Sequence, residues 1–177
     1  DSVQGDSCVA QLFERLGVAT RYEADGIYIY KKELGATTPR LEIDFTAMPD
    51  LAQTLVVACA MNGQAFHFEG LQSLKIKETD RIEALKTEMR KLGYVLTDID
   101  GRELLWNGER CDADYSMGLD TYEDHRMALA MAPLAFKVDN IVINNPHVVS
   151  KSYPHYWDDL RSAGFKKKKK RQQYVIY

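Results

Sequence analysis

Apolar residues recur along this chain at two periods, and the periods alternate. Ile82, Leu85, Met89 and Leu92 fall three or four positions apart, which lines one face of a helix over 78–92. Asp80 supplies an N-cap there, Glu83 stands three residues on to close a capping box, and Gly93 stops the run. Further helices fit 7–16 before Gly17, 49–62 before Gly63, 124–136, and 152–163 before Gly164. Those over 49–62 and 127–136 are apolar on most sides, as a helix buried all round is. Between them the period drops to two. Strands fit 19–23 and 26–32 around the turn Ala24-Asp25-Gly26, and 94–98 and 102–106 around Asp100-Gly101. Single strands fit 41–45, 65–69 and 140–144, and 71–76 reads as one more extended piece.

The pattern repeats. Leu12-Phe13-Glu14-Arg15-Leu16-Gly17, a strand and Asp25-Gly26 correspond to Glu88-Met89-Arg90-Lys91-Leu92-Gly93, a strand and Asp100-Gly101. Leu160-Arg161-Ser162-Ala163-Gly164-Phe165 opens the same sequence a third time. Repetition of helix, glycine stop and hairpin argues for copies of one α/β unit stacked on shared helices.

Length and composition narrow the class. A chain of 177 residues holds one substantial core or two small ones. With 45% hydrophobic and 28% charged residues it reads as a globular chain, and a net charge of −3 argues against a general nucleic-acid binder. Cys8, Cys59 and Cys111 are odd in number and far apart, so they read as reduced thiols of a cytoplasmic protein. Cys59 sits in an apolar helix and reads as core. The longest apolar run, 55–61, is too short to cross a bilayer. His67, His147 and His155 show no metal-ligand spacing with one another or with the cysteines, and no metal or cofactor is expected. No glycine-rich phosphate loop is present. Lys166 to Arg171 are six consecutive cations, which read as a solvated tail whose apolar end could add an edge strand.

The chemistry gathers at helix starts. Lys77, Glu78 and Arg81 stand at or just before the N-terminus of the 78–92 helix. Asp124-His125-Arg126 opens another helix, with Asp124 as its cap. Lys151 lies just outside the last helix, with Ser152 as the expected cap. Pro49-Asp50 opens a fourth, with the acid in its first turn. Cations at a helix N-terminus oppose the dipole by a few tenths to about 1 kcal/mol each, and the same geometry suits a bound anion. Surface charge around ordinary caps explains any one of these stretches equally well.

Together they carry a resemblance. Lys77-Glu78-Thr79-Asp80-Arg81, Asp124-His125-Arg126-Met127, Pro49-Asp50 and Lys151-Ser152-Tyr153-Pro154 resemble the signatures of the 5-enolpyruvylshikimate-3-phosphate synthase family, in the family's order and at similar intervals. The resemblance implies an α/β (α+β) fold of repeated βαβαββ units, arranged as an inside-out barrel with buried helices. It implies transfer of the enolpyruvyl group of phosphoenolpyruvate to the 5-hydroxyl of shikimate 3-phosphate, with release of phosphate. Asp50 then stands as base for the hydroxyl and Glu78 as the group exchanging a proton at C3. The resemblance implies that Arg81, Arg126 and Lys151 bind phosphoenolpyruvate, at the site that the inhibitor glyphosate occupies in the family. Lys77 faces the shikimate moiety and His125 orients a phosphate. Ser73 stands where the family often has a substrate-binding asparagine. Family members are longer and have two domains. The likeness therefore suggests a C-terminal portion over 1–165, incomplete, with an N-terminal domain as partner and 166–177 as a basic tail. Such a half-site is expected to bind weakly and not to turn over alone. Two other readings stay open: an enzyme like UDP-N-acetylglucosamine enolpyruvyl transferase, and a non-catalytic anion-binding domain.

Overall fold

The computed structural model describes residues 4–32 and 38–177. The chain divides into two compact units, Asp1–Pro39 and Arg40–Tyr177. In the first, a 3-10 turn Gly5–Cys8 leads into helix α1 (Val9–Glu14) and an antiparallel hairpin of β1 (Val18–Glu23) and β2 (Gly26–Lys31). Leu12 of α1 and Ala19 of β1 are its buried apolar contacts.

The second unit opens with one complete βαβαββ pass. Strand β3 (Arg40–Asp44) is followed by helix α2 (Ala52–Asn62), β4 (Ala65–Glu69), helix α3 (Arg81–Lys91), β5 (Thr97–Ile99) and β6 (Glu103–Trp106). The sheet order is β3-β4-β6-β5, with β3 parallel to β4 and β6 antiparallel to both its neighbours. Phe66 and Phe68 of β4 point inward and stack at 4.4 Å, while His67 and Glu69 alternate outward. Helix α2 buries residues all round, which explains its lack of a polar face. Gly63, at φ +69°, ends it in the left-handed turn that a glycine adopts without penalty.

A second pass follows. Leu119 makes an isolated parallel bridge to Ile143. Then come helix α4 (His125–Met131), β7 (Ile141–Asn144), helix α5 (Tyr156–Ser162), β8 (Lys167–Lys170) and β9 (Gln173–Ile176). The order Leu119-β7-β9-β8 repeats that of β3-β4-β6-β5. Helices α2 and α4 pack against each other.

Several expectations are corrected. The basic run is not a solvated tail, although the apolar end after it does add a strand, as the alternative reading allowed. The run itself is β8, paired to β9, and β9 pairs in turn with β7. Ile176 is fully buried, and Lys167 stretches over the Tyr174 ring with Nζ 3.6 Å from Asp158. Its apolar partner strand supplies the burial, and lysines on the outer strand discourage edge-to-edge pairing. Residues 72–76 form a 3-10 turn rather than an extended piece, because Gly70 at φ +73° breaks the strand beside the side chains of Asp44 and Thr46. Helix α4 stops at Met131 and tightens into a 3-10 turn over Ala132–Phe136, where Pro133 cannot donate to the preceding turn. Ser152 does not cap α5 but ends the 3-10 turn Pro146–Lys151, its N–H donating to the Val149 carbonyl; α5 starts only at Tyr156, since Pro154 disfavours a helical Tyr153. Of the capping box at α3 one bond forms, Glu83 N–H to Asp80 at 3.2 Å, while the Glu83 carboxylate engages Lys86. Among the described residues no helix is long and apolar enough to cross a membrane.

Candidate active site

Two caps place the central pair of charges. Asp80 ends its own strand-like conformation and caps α3, so Arg81 becomes the first helical residue. Asp124 caps α4 by accepting from Arg126 N–H at 2.8 Å. Arg81 crosses to that second cap. Its Nε donates to Asp124 Oδ2 at 2.6 Å, and Nη2 approaches Oδ1 at 3.3 Å. The remaining donors reach Asp50 Oδ1 (Nη1, 2.7 Å) and Glu78 Oε2 (Nη2, 2.7 Å). Arg81 is 1% exposed and Asp124 is closed to solvent. Burial works against the Arg81 charge, but Asp124, Glu78 and Asp50 outweigh it and raise its pKa.

Asp50 is the junction. It lies in the 3-10 turn Pro49–Leu51 ahead of α2. Besides Arg81 it meets Arg126 (Nη2 to Oδ2, 3.1 Å) and Lys77 (Nζ to Oδ1, 3.4 Å). Arg126 also donates to the Asp50 backbone carbonyl at 3.1 Å. Burial pushes the Asp50 carboxyl up, yet Arg126, Arg81 and Lys77 together hold it below the ordinary aspartate value. Three cations and three carboxylates (Lys77, Arg81, Arg126; Asp50, Glu78, Asp124) thus form one connected cluster of balanced formal charge. Arg81, anticipated as an anion ligand, has its guanidinium committed to three carboxylates.

The other candidates make no charged contact to this cluster among the described residues. Ser73 belongs to the 3-10 turn Gln72–Ile76, which packs against the turn carrying Asp50. His125 is the half-buried first residue of α4. Lys151 is exposed at the end of the 3-10 turn Pro146–Lys151, and that turn packs against α4.

Sequence reading missed what aims the α4 cap. Tyr122 and Glu123, just before Asp124, both hold positive φ (54° and 58°), a conformation that costs non-glycine residues energy. Buried Glu88 of α3 holds this turn. It accepts from the Tyr122 hydroxyl at 2.6 Å and from Asp120 N–H at 3.0 Å, and pairs with Lys91 at 2.8 Å. Burial, then Glu88, pushes the Tyr122 hydroxyl far above its ordinary value. Asn145 adds a bond to Glu123 at 2.7 Å. The available signal was an acid among the inward positions of α3, next to Met89.

Residues 1–160 match the family EPSP synthase (3-phosphoshikimate 1-carboxyvinyltransferase). A 3-phosphoshikimate 1-carboxyvinyltransferase of Bacteroides fragilis is 58% identical over 93% of this chain and 40% of its own length. The same-named proteins of Syntrophobacter fumaroxidans and Shewanella sediminis are 31% and 32% identical over 89% and 90% of the chain, each covered to 36%. Among solved structures, the enolpyruvyl transferase NikO from Streptomyces tendae aligns with 97% of the chain and 42% of its own, at 15% identity and a TM-score of 0.37. The chain spans about 40% of the length of the first of these curated relatives. With the family matched over nearly its whole length, this chain belongs to the EPSP synthase family.

Proposed function

We propose that this chain carries one wall of an enolpyruvyl transferase site, acting on phosphoenolpyruvate and shikimate 3-phosphate in the shikimate route to aromatic amino acids. The observation that carries this reading is Asp50, an ionised carboxylate held between Lys77, Arg81 and Arg126. Both substrates are polyanions, and a guanidinium fork suits their carboxylates and phosphates. On this reading Arg126, Lys151 and Lys77 supply the cations, and His125 and Ser73 complete the wall.

A carboxylate beside three cations is a weak base. An incoming oxyanion changes that, because it neutralises Arg126 and Lys77 and so relieves what holds the Asp50 pKa down. Asp50 then becomes basic enough to take the proton of the 5-hydroxyl as oxygen bonds to C2 of phosphoenolpyruvate. Glu78, protonated before the addition, gives that proton to C3 and takes one back as the C2–O bond to phosphate breaks, and the phosphate carries off the proton that Asp50 accepted. Protonation of Glu78 loosens its bond to Arg81 Nη2, which frees that donor for the substrate carboxylate. Arg81 on this reading is first an organiser of carboxylates and then an anion ligand.

The complete reaction belongs to the longer polypeptide, and this chain alone binds phosphoenolpyruvate weakly and does not turn over. Its partner is the remaining portion of the family's chain. Cys8, Cys59 and Cys111 as thiols fit a cytoplasmic setting. Phosphate release from the two substrates is the test, with the chain alone and mixed with a separately expressed N-terminal half. Activity that appears on mixing and vanishes with Asp50→Ala supports the reading. Silence in a mixture shown to associate overturns it in favour of another acceptor or a non-catalytic anion-binding role.

A further inference from the structure

The outward face of the β3-β4-β6 sheet carries a second constellation that the transferase reading leaves unused. Register sets it. Glu42 lies opposite His67 in the parallel pair, and Glu69 follows His67 by two positions on the same face of β4. Across on β6, Glu103 stands one step beyond the residue opposite Phe68, on the same side as Glu69. His67 Nε2 is 2.6 Å from Glu103 Oε2 and 3.8 Å from Glu69 Oε1. One donor atom from each of His67, Glu69 and Glu103 lies within 4.8 Å of the others. No lysine or arginine among the described residues pairs with the carboxylate of Glu69 or Glu103. Like charges facing each other across a sheet destabilise it, so this pair calls for a cation.

The imidazole makes this more than an acidic patch. Its Nδ1 is 3.1 Å from Glu42 Oε2, and Glu42 is held by Arg40 Nε at 2.6 Å. A carboxylate on Nδ1 fixes the ring and aims Nε2, which is the usual support of a metal-ligating histidine. We propose that His67, Glu69 and Glu103 bind a divalent transition-metal ion of the zinc class, with Glu42 as positioning residue. The nitrogen ligand selects zinc, cobalt or nickel over magnesium and calcium, which prefer all-oxygen sets. Bonds of about 2.0–2.2 Å to each ligand require the two glutamates to shift slightly, and both are partly exposed. The ion would join β4 to β6 and leave a coordination position open. The competing arrangement is a protonated His67 bridging the carboxylates with no ion.

The test uses the full, metal-free chain. Co2+ is followed by its visible absorption, Zn2+ by calorimetry, and Mg2+ serves as the hard-ion comparison. We expect about one Zn2+ or Co2+ per chain, no comparable Mg2+ binding, and a melting temperature that rises with Zn2+. Glu42→Gln weakens binding by ~10-fold or more without removing it. His67→Gln and, independently, Glu103→Gln abolish it, while a His147→Gln/His155→Gln double variant binds as the parent does. Metal-free melts of the His67→Gln and Glu103→Gln variants check that the sheet survives. A parent chain that takes up no Zn2+ overturns the site, as does binding that persists unchanged in the folded His67→Gln or Glu103→Gln variant.

Discussion

Arg81 and Asp124 are 43 residues apart in sequence and meet through a 2.6 Å bond closed to solvent. Each stands at the start of a different helix, so this one contact locks α3 to α4 and fixes where Asp50, Glu78 and Arg126 can lie. Asp124 satisfies the α4 backbone and Arg81 at once. The structural role of the pair and its place in the site are the same contact seen from two sides.

Removing either partner should therefore be severe. Arg81→Met leaves Asp124 buried with no counter-charge, a loss of roughly 3–5 kcal/mol. Arg81→Lys should recover only part of it, since an ammonium cannot serve three carboxylates in one plane. Urea unfolding of the three chains checks the order: parent, then lysine, then methionine.

Asp50→Asn should separate stability from anion affinity. The Asp50 carboxyl titrates below its ordinary value, so its contribution is complete above the unfolded pKa of about 3.9 and is lost as pH falls through the lower folded value. The stability gap between parent and variant should stay flat from neutral pH down to about 5 and close in stronger acid. Phosphate should bind the variant more tightly than the parent, because Lys77, Arg81 and Arg126 lose an internal counter-ion. Weaker phosphate binding by a folded variant would remove the cationic-cradle reading of the cluster.

Glu88→Gln and Tyr122→Phe probe the strained turn ahead of α4. The first keeps the shape of Glu88 but removes its charge beside Lys91, and the second deletes only the hydroxyl. Each should cost about 1–2 kcal/mol. If the turn aims Asp124, both should also shift the side-chain NMR signals of His125 and Arg126, which neither variant touches. Unmoved signals would confine Glu88 to holding its own helix.

Much of this was legible because it is local. Asp80 and Asp124 announce their caps within three residues, and Asp100-Gly101 announces its hairpin. The clustering of Asp50, Lys77, Arg81 and Arg126 was suggested by family motifs alone, since nothing in the sequence says which helix starts converge. The contacts of Glu88 with Tyr122 and of His67 with Glu103 span more than thirty residues and depend on register, which periodicity does not set. Ser152 misleads because its cap preference is local, while Pro154 two residues later delays the helix. The lysine run misleads for a different reason: its composition points to a solvated tail, while Leu160 to Phe165 open the helix, glycine and hairpin pattern that the strands complete.

If 166–177 were solvated, deleting it would leave the melting temperature unchanged. Instead β9 is the antiparallel partner of β7, with Ile141 opposite Ile176 and both buried. Deletion removes Ile176, whose burial alone is worth about 1.5–3 kcal/mol, and the Tyr174 ring set against Trp157 at 5.1 Å. At ~2–4 °C per kcal/mol for a chain of this size, the melting temperature should fall by at least ~5 °C. Replacing Lys168, Lys169 and Lys170 by glutamine should not reproduce this, because those side chains are exposed and the ladder to β9 is made by backbone. A melt in which the deletion is silent would dissolve the hairpin. One in which the glutamine chain falls as far as the deletion would assign the stability to charge rather than to the strand.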